Sequence, residues 1–129
     1  MEPLPDDIRR FLDGNIETID QLEVLRILGE KPDREWTAAE LAAEVQAKPQ
    51  VVATHVVALQ GRGLLTAQQR GADLVARHGA RTPELQTLVG RLLQLYRERP
   101  VTMIKMVYER AKDPLRTFAD AFRLRKEEE

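Results

Sequence analysis

Gln50, Thr54 and His55 fall within little more than one helical turn and offer an amide, a hydroxyl and an imidazole. These groups donate or accept at base edges in the major groove of duplex DNA. Downstream, Arg62, Arg70 and Arg77, with Arg81 close behind, carry guanidinium groups suited to phosphate. Such contacts position a protein on DNA without reading its sequence. Interleaved with the first set are Val51, Ala53 and Val57. Apolar side chains there suit packing against protein better than facing hydrated phosphate. The segment therefore supports two kinds of contact, with double-stranded DNA or with a protein partner, and both stay open.

Other chemistry finds little support. The chain has no cysteine and no serine, so the usual acyl-transfer nucleophiles, disulfides and zinc-thiolate sites are absent. His55 and His78 are the sole histidines, and no acidic residue stands at a metal-ligand spacing from either. The glycines never gather into a phosphate-cradling loop, and Gly61-Arg62-Gly63 follows a helical pattern rather than a strand. No enzyme, no metal and no cofactor is expected.

The charge is segregated. The 129 residues carry a formal net charge of −1, but residues 1–48 hold a net −6, residues 49–90 a net +2 and residues 91–126 a net +6, before the terminal Glu127-Glu128-Glu129. A basic C-terminal third can face phosphate, or it can neutralise the acidic N-terminal part in the fold or across a dimer. Hydrophobic residues make up 43% and charged residues 32%, which fits one domain with a real core. No apolar run reaches the roughly 20 residues that span a bilayer. The acidic opening, MEPLPDDIRR, is not expected to act as a secretory signal. These features point to a cytoplasmic protein with no membrane partner.

The elements that must position the candidate residues are mostly helices. Pro5-Asp6-Asp7 opens a short helix over 8–12, stopped by Asp13-Gly14-Asn15. Thr18 and Gln21 form a capping box before a stripe of Ile19, Leu22, Leu25, Ile27 and Leu28, ended by Gly29 and Pro32. Thr37 and Glu40 form a second capping box, with Trp36 and Leu41 placed as a hydrophobic staple. Lys48-Pro49 marks a break and restart, since proline favours the first helical turn. The next helix runs to about Arg62 with Val52, Val56 and Leu59 inward, and Gly63 stops it. Segments 64–69 and 72–78 flank a turn at Arg70-Gly71 and form a two-stranded hairpin. Thr82-Pro83-Glu84 starts a helix with Leu85, Leu88, Val89, Leu92, Leu95 and Tyr96 as its stripe, interrupted at Pro100. A helix over 101–111 follows, with Val101, Ile104, Val107 and Tyr108 on one side. Asp113-Pro114 caps a last one carrying Leu115, Phe118, Ala119 and Phe122.

Two helices around a tight break, then a glycine stop and a hairpin, resemble the winged helix-turn-helix superfamily of bacterial regulators. Thr37, Glu40, Leu41, Ala42, Val45, Val52, Val56, Leu59, Gly63, Leu64 and Leu65 carry the resemblance. It implies a mainly α fold with a small two-stranded wing and a C-terminal helical extension. It also implies non-catalytic, transcription-associated DNA binding. Gln50, Thr54, His55, Arg62, Arg70 and Arg77 would make the DNA contacts, with weak base readout because the second helix holds no Arg or Lys before Arg62. The alternative is a protein-interaction adaptor using Val51, Ala53 and Val57. Residues 1–81 are expected to form the winged module and 82–129 an extension. That extension either packs on the module or forms a homodimer seam through Leu92, Tyr96, Phe118 and Phe122.

Overall fold

The computed structural model describes residues 4–112. Their helices are α1 (Asp6–Asn15), α2 (Ile19–Glu30), α3 (Ala38–Val45), α4 (Pro49–Gly61), α5 (Pro83–Glu98) and α6 (Pro100–Lys112). The strands are β1 (Trp36–Thr37), β2 (Leu65–Arg70) and β3 (Asp73–His78). The expected last helix, with Phe118 and Phe122, lies outside the described residues.

The helix signals act where the chain needs them. Thr37 accepts from the Glu40 N–H at 3.1 Å and Glu40 accepts from the Thr37 N–H at 2.9 Å, which completes the capping box of α3. Thr82 caps α5 by accepting from Leu85 N–H at 3.1 Å. At α2 the box is altered. Thr18 does accept from Gln21 N–H, but the Gln21 side-chain carbonyl reaches past Thr18 to the Glu17 N–H at 2.8 Å. Two helices end within the expected stops, each one residue beyond the glycine. α1 continues through Gly14 to Asn15, whose side chain bonds the Phe11 carbonyl at 3.0 Å. α2 continues through Gly29, where a Cβ would come within 2.6 Å of Leu93 Cδ1, so the glycine lets α5 approach closely.

The turn between α3 and α4 begins earlier than Pro49. Gln46 takes a left-handed conformation (φ 58°, ψ 48°) and its N–H bonds Ala42 O. Lys48 is extended and Pro49 starts α4 at its first turn. Gly63 follows α4 with φ 78° and is buried against Arg81. The hairpin register pairs Arg70 with Asp73, leaving Gly71 (φ 60°) and Ala72 as a two-residue loop. Glycine at the first loop position is what a tight hairpin of this length favours.

The wing has three strands rather than two. β1 pairs antiparallel with β3 (Trp36 with Ala76, Thr37 with Val75), giving the order β1-β3-β2. Two residues carry too little periodicity to show as a strand in sequence, and Thr37 doubles as the α3 cap.

One hydrophobic cluster joins every helix. Leu22, Leu25 and Leu28 of α2 meet Leu41 of α3 and Val52, Val56 and Leu59 of α4, all essentially without solvent contact. α5 packs on α1 and α2 and adds Val89, Leu92, Leu93 and Tyr96 to that same cluster. α6 closes on α2 and α5 with Met103 and Val107, whereas Val101 and Tyr108 face solvent. The buried seam of α6 thus runs through 103 and 107, one turn apart, rather than through 101 and 108. Among the described residues, no helix is long and apolar enough to cross a membrane.

Candidate nucleic-acid interface

α4 presents three distinct sides. Val52, Val56 and Leu59 face the core. At 100° per residue, the directly opposite side holds Gln50, Thr54, Val57 and Gly61, with Val51 and Ala58 on one shoulder and Ala53 on the other. That outer side is uncovered: Val57 is 57% and Val51 43% exposed. Gln50 is exposed too, and the Thr54 hydroxyl donates to Gln50 O at 3.0 Å, one turn back along the same side. Between this face and the hairpin runs an open groove of about 640 Å³, lined by Gln50, Ala53, Thr54 and Val57 on one wall and by Gln69 and Leu74 on the other.

Two polar tethers hold α4 in place. On one flank, Gln60 Nε2 donates to Ala67 O of β2 at 2.7 Å. On the other, His55 and Arg62 turn inward to Gln21, which is 2% exposed and the one buried polar residue among those described. Gln21 Nε2 lies 3.3 Å from His55 Nδ1. Arg62 donates to Gln21 Oε1 at 3.3 Å and to Asn15 O at 2.6 Å, and it pairs with Glu17. Both residues were expected to contact DNA. Their guanidinium and imidazole are instead committed to anchoring α4 against the α1–α2 junction, because 55 and 62 sit on the flank that faces it. The signal for this is Gln21 itself. It stands four and seven residues before Leu25 and Leu28, inside the apolar stripe of α2, where a polar group needs partners.

The hairpin arginines sit as follows. Arg70, at the end of β2, is half exposed and forms a two-pronged pair with Glu35, the second contact being 3.1 Å. That guanidinium holds the Glu35 carboxyl below its usual range, and Arg77 adds to the effect at longer reach. Arg77 is exposed on β3. Arg81 reaches back to Gln60 O at 3.2 Å. Lys48, not among the expected contacts, lies just ahead of α4 at its head.

Leu92 and Tyr96, expected at a protein seam, are interior residues at 0% and 4% exposure. Their stripe is consumed by packing α5 on α1 and α2, so neither offers surface to a partner. Tyr96 donates its hydroxyl to the Glu23 carboxylate, and burial together with that carboxylate pushes its phenol above the ordinary value. Ala53 and Val57 line the groove side of α4, while Val51 is exposed on the opposite shoulder. Phe118 and Phe122 lie outside the described residues. Among the described residues no cluster of histidine and carboxylate side chains could hold a metal ion.

A helix pair around a left-handed turn, followed by a hairpin whose inner strand pairs with a short strand before the pair, is a winged helix-turn-helix fold. Solved structures agree. The chain is similar to AntR, an antimony-specific transcriptional repressor (TM-score 0.55, 21% identity, covering 78% of this chain and 89% of that one). It is also similar to a mutant of MepR from a multidrug-resistant S. aureus clinical isolate (TM-score 0.54, 14% identity, 96% of this chain and 88% of that one). HlyU of Vibrio vulnificus CMCP6, a transcriptional regulator, is a third (TM-score 0.51, 20% identity, 68% and 86%). At these identities the likeness establishes the fold alone. No protein-family model and no curated protein matches the chain.

Proposed function

We propose that this chain is a non-catalytic, cytoplasmic transcription regulator that docks on duplex DNA through α4 and the hairpin. The observation that carries the reading is the open outer face of α4, continuous with the hairpin across an uncovered groove. In this fold the second helix of the motif is the element that enters the major groove. Lys48 at the head of α4 and Arg70 and Arg77 on the hairpin supply phosphate contacts around that face, while Gln50 and Thr54 carry the base contacts. Residues 1–81 form the docking module. Within the extension, α5 buttresses α1 and α2, and the regulator acts as a homodimer.

Binding of random duplex to the full chain over a salt titration tests it. Each neutralised phosphate contributes about −0.9 to the slope of log K against log salt, so the three cations per protomer give a clear negative slope. No binding at low salt removes the reading.

A second reading rests on the apolar chemistry of that same helix, where Val51 and Val57 are exposed. Such a surface also suits a protein partner, with the chain as an adaptor that leaves DNA alone. Val51→Glu with Val57→Glu leaves the fold intact, because neither side chain is in the core. It abolishes partner capture if this reading holds, and unchanged capture excludes that surface.

A further inference from the structure

We infer that the outer face of α4 reads A·T-rich duplex, chiefly by packing its methyl groups on the 5-methyls of thymine. This rests on the DNA-docking reading and adds the sequence class that the docked helix selects.

The outer row of α4 runs Gln50, Thr54, Val57 and Gly61, with Ala53 beside it on the groove wall. The side chains of this row have defined matches in the major groove. Glutamine pairs bidentately with adenine N6 and N7, while small apolar groups and the threonine methyl meet the thymine methyl. Guanine is read most often by arginine or lysine, and this face has neither. Of the guanidinium groups beside α4, Arg62 is bound to Asn15, Glu17 and Gln21, and Arg81 is bound to the Gln60 carbonyl. Absence of cations from the reading face is thus a property of the folded molecule as well as of the sequence.

Shape agrees with chemistry. The major groove is about 12 Å wide and admits an α-helix. Short side chains let the helix axis sit deep, and Gly61 has no protein atom within 4 Å of where a Cβ would stand, so its own fold does not call for glycine there. Charge is complementary at the rim rather than the centre. Lys48 precedes the face and Arg70 stands at the end of β2 beside the hairpin loop, while Arg77 lies on the sheet side turned away from Gln69 and Leu74. The groove's sole charged lining residue is Asp73, at the hairpin lip, where it stands opposite Arg70 in the strand register. A surface of short side chains, with Lys48 at the helix head and Arg70 at the hairpin end, fits thymine methyls flanked by phosphates.

The test compares three probes at one salt concentration: an alternating dA–dT duplex, the same duplex with uracil replacing thymine, and an alternating dG–dC duplex. Uracil lacks only the 5-methyl group. Each methyl buried is worth about 0.8 kcal/mol, close to fourfold in affinity. Replacing thymine is therefore expected to weaken binding at least about fourfold, with the salt slope unchanged, and dG–dC is expected to bind more weakly than dA–dT. Val57→Ala, at an exposed position, is expected to shrink the thymine–uracil difference. Equal affinity for the thymine and uracil duplexes, with an intact salt slope, overturns the inference and leaves DNA docking standing. A difference that Val57→Ala leaves untouched assigns it to duplex shape and likewise overturns it. Failure to bind any of the three at low salt removes the docking reading itself.

Discussion

Gln21 on α2 gives its side-chain amide to His55 on α4 at 3.3 Å, 34 residues away. Its orientation is forced. Gln21 Oε1 already accepts from Glu17 N–H at 2.8 Å and from Arg62, so the NH₂ group must face the imidazole. His55 Nδ1 is then the acceptor, and its ring carries its proton on Nε2. A single buried amide thereby sets both the tautomer of His55 and the seat of the exposed helix. Removing it leaves Glu17 N–H, Arg62 and His55 each short of a partner. Gln21→Leu is expected to destabilise the protein by about 1–3 kcal/mol, read as a lower urea midpoint. Paired with His55→Ala, the losses should be clearly non-additive, because both variants break one network. Additive losses would mean the two side chains do not share it.

The glycines at 63 and 90 should respond to alanine with opposite signs. Gly63 sits at φ 78° with its would-be Cβ 3.1 Å from Arg81 Cβ, and it redirects the chain from α4 into β2. An L-residue in that region costs about 1–2 kcal/mol before crowding is counted. Gly90 is exposed inside α5 with nothing near its missing Cβ. Alanine there removes the glycine penalty of about 0.8–1.0 kcal/mol in a helix interior. Thermal melts of the two variants should move down and up respectively. A neutral Gly63→Ala would mean the turn between α4 and β2 is not held in the left-handed form.

Why some of this was legible in the sequence and some not follows from the range of the interactions. The capping box at Thr37 and Glu40, the restart at Pro49, the stop at Gly63 and the inward Val52, Val56 and Leu59 are local rules, and the chain obeys them. α1 and α2 run one residue past Gly14 and Gly29, because glycine is a weak breaker inside a helix. At 29 the packing even requires it, since Leu93 fills the space of a side chain. β1 is two residues long, and only its pairing with β3 makes it a strand. The partners of two site residues were hidden for the same reason. Nothing near His55 or Arg62 in sequence says that Gln21 and Glu17 will claim them, whereas Val51 and Val57 lie outward as the helical period requires. Leu92 and Tyr96 belong to an apolar stripe, and a stripe alone does not say whether its partner is the same chain or another.

Acid should weaken the fold through three surface carboxylates. Asp7 is held below its ordinary value first by Arg91, Glu35 first by Arg70, and Glu40 first by the Thr37 N–H. Each folded-state value is depressed, so the stability it lends is complete above the unfolded carboxylate pKa of about 4 and is lost as pH falls through the lower folded value. Urea midpoints should therefore be flat near neutrality and drop below about pH 4. Asp7→Asn should reduce that drop, since it removes one titrating group. An unchanged acid limb in this variant would show that the pair with Arg91 does not persist in solution.

Glu35 occupies the guanidinium of Arg70 much as a phosphate would, with two contacts from one acid. If the hairpin docks on DNA, each binding event must exchange that carboxylate for a phosphate oxygen, and the exchange weakens binding. Glu35→Gln keeps the size and loses the charge. It should strengthen binding to random duplex at low salt by severalfold. It should also steepen the slope of log K against log salt by up to about 0.9, the value for one added phosphate. The pair is half exposed, so its loss should leave folding stability nearly unchanged, which separates the binding effect from a damaged fold. Arg70→Gln should produce the reverse: a shallower slope, and no further gain when combined with Glu35→Gln. Should Glu35→Gln leave both affinity and slope unchanged while the protein still binds duplex, Arg70 does not touch phosphate, and the hairpin's contribution shifts to Arg77.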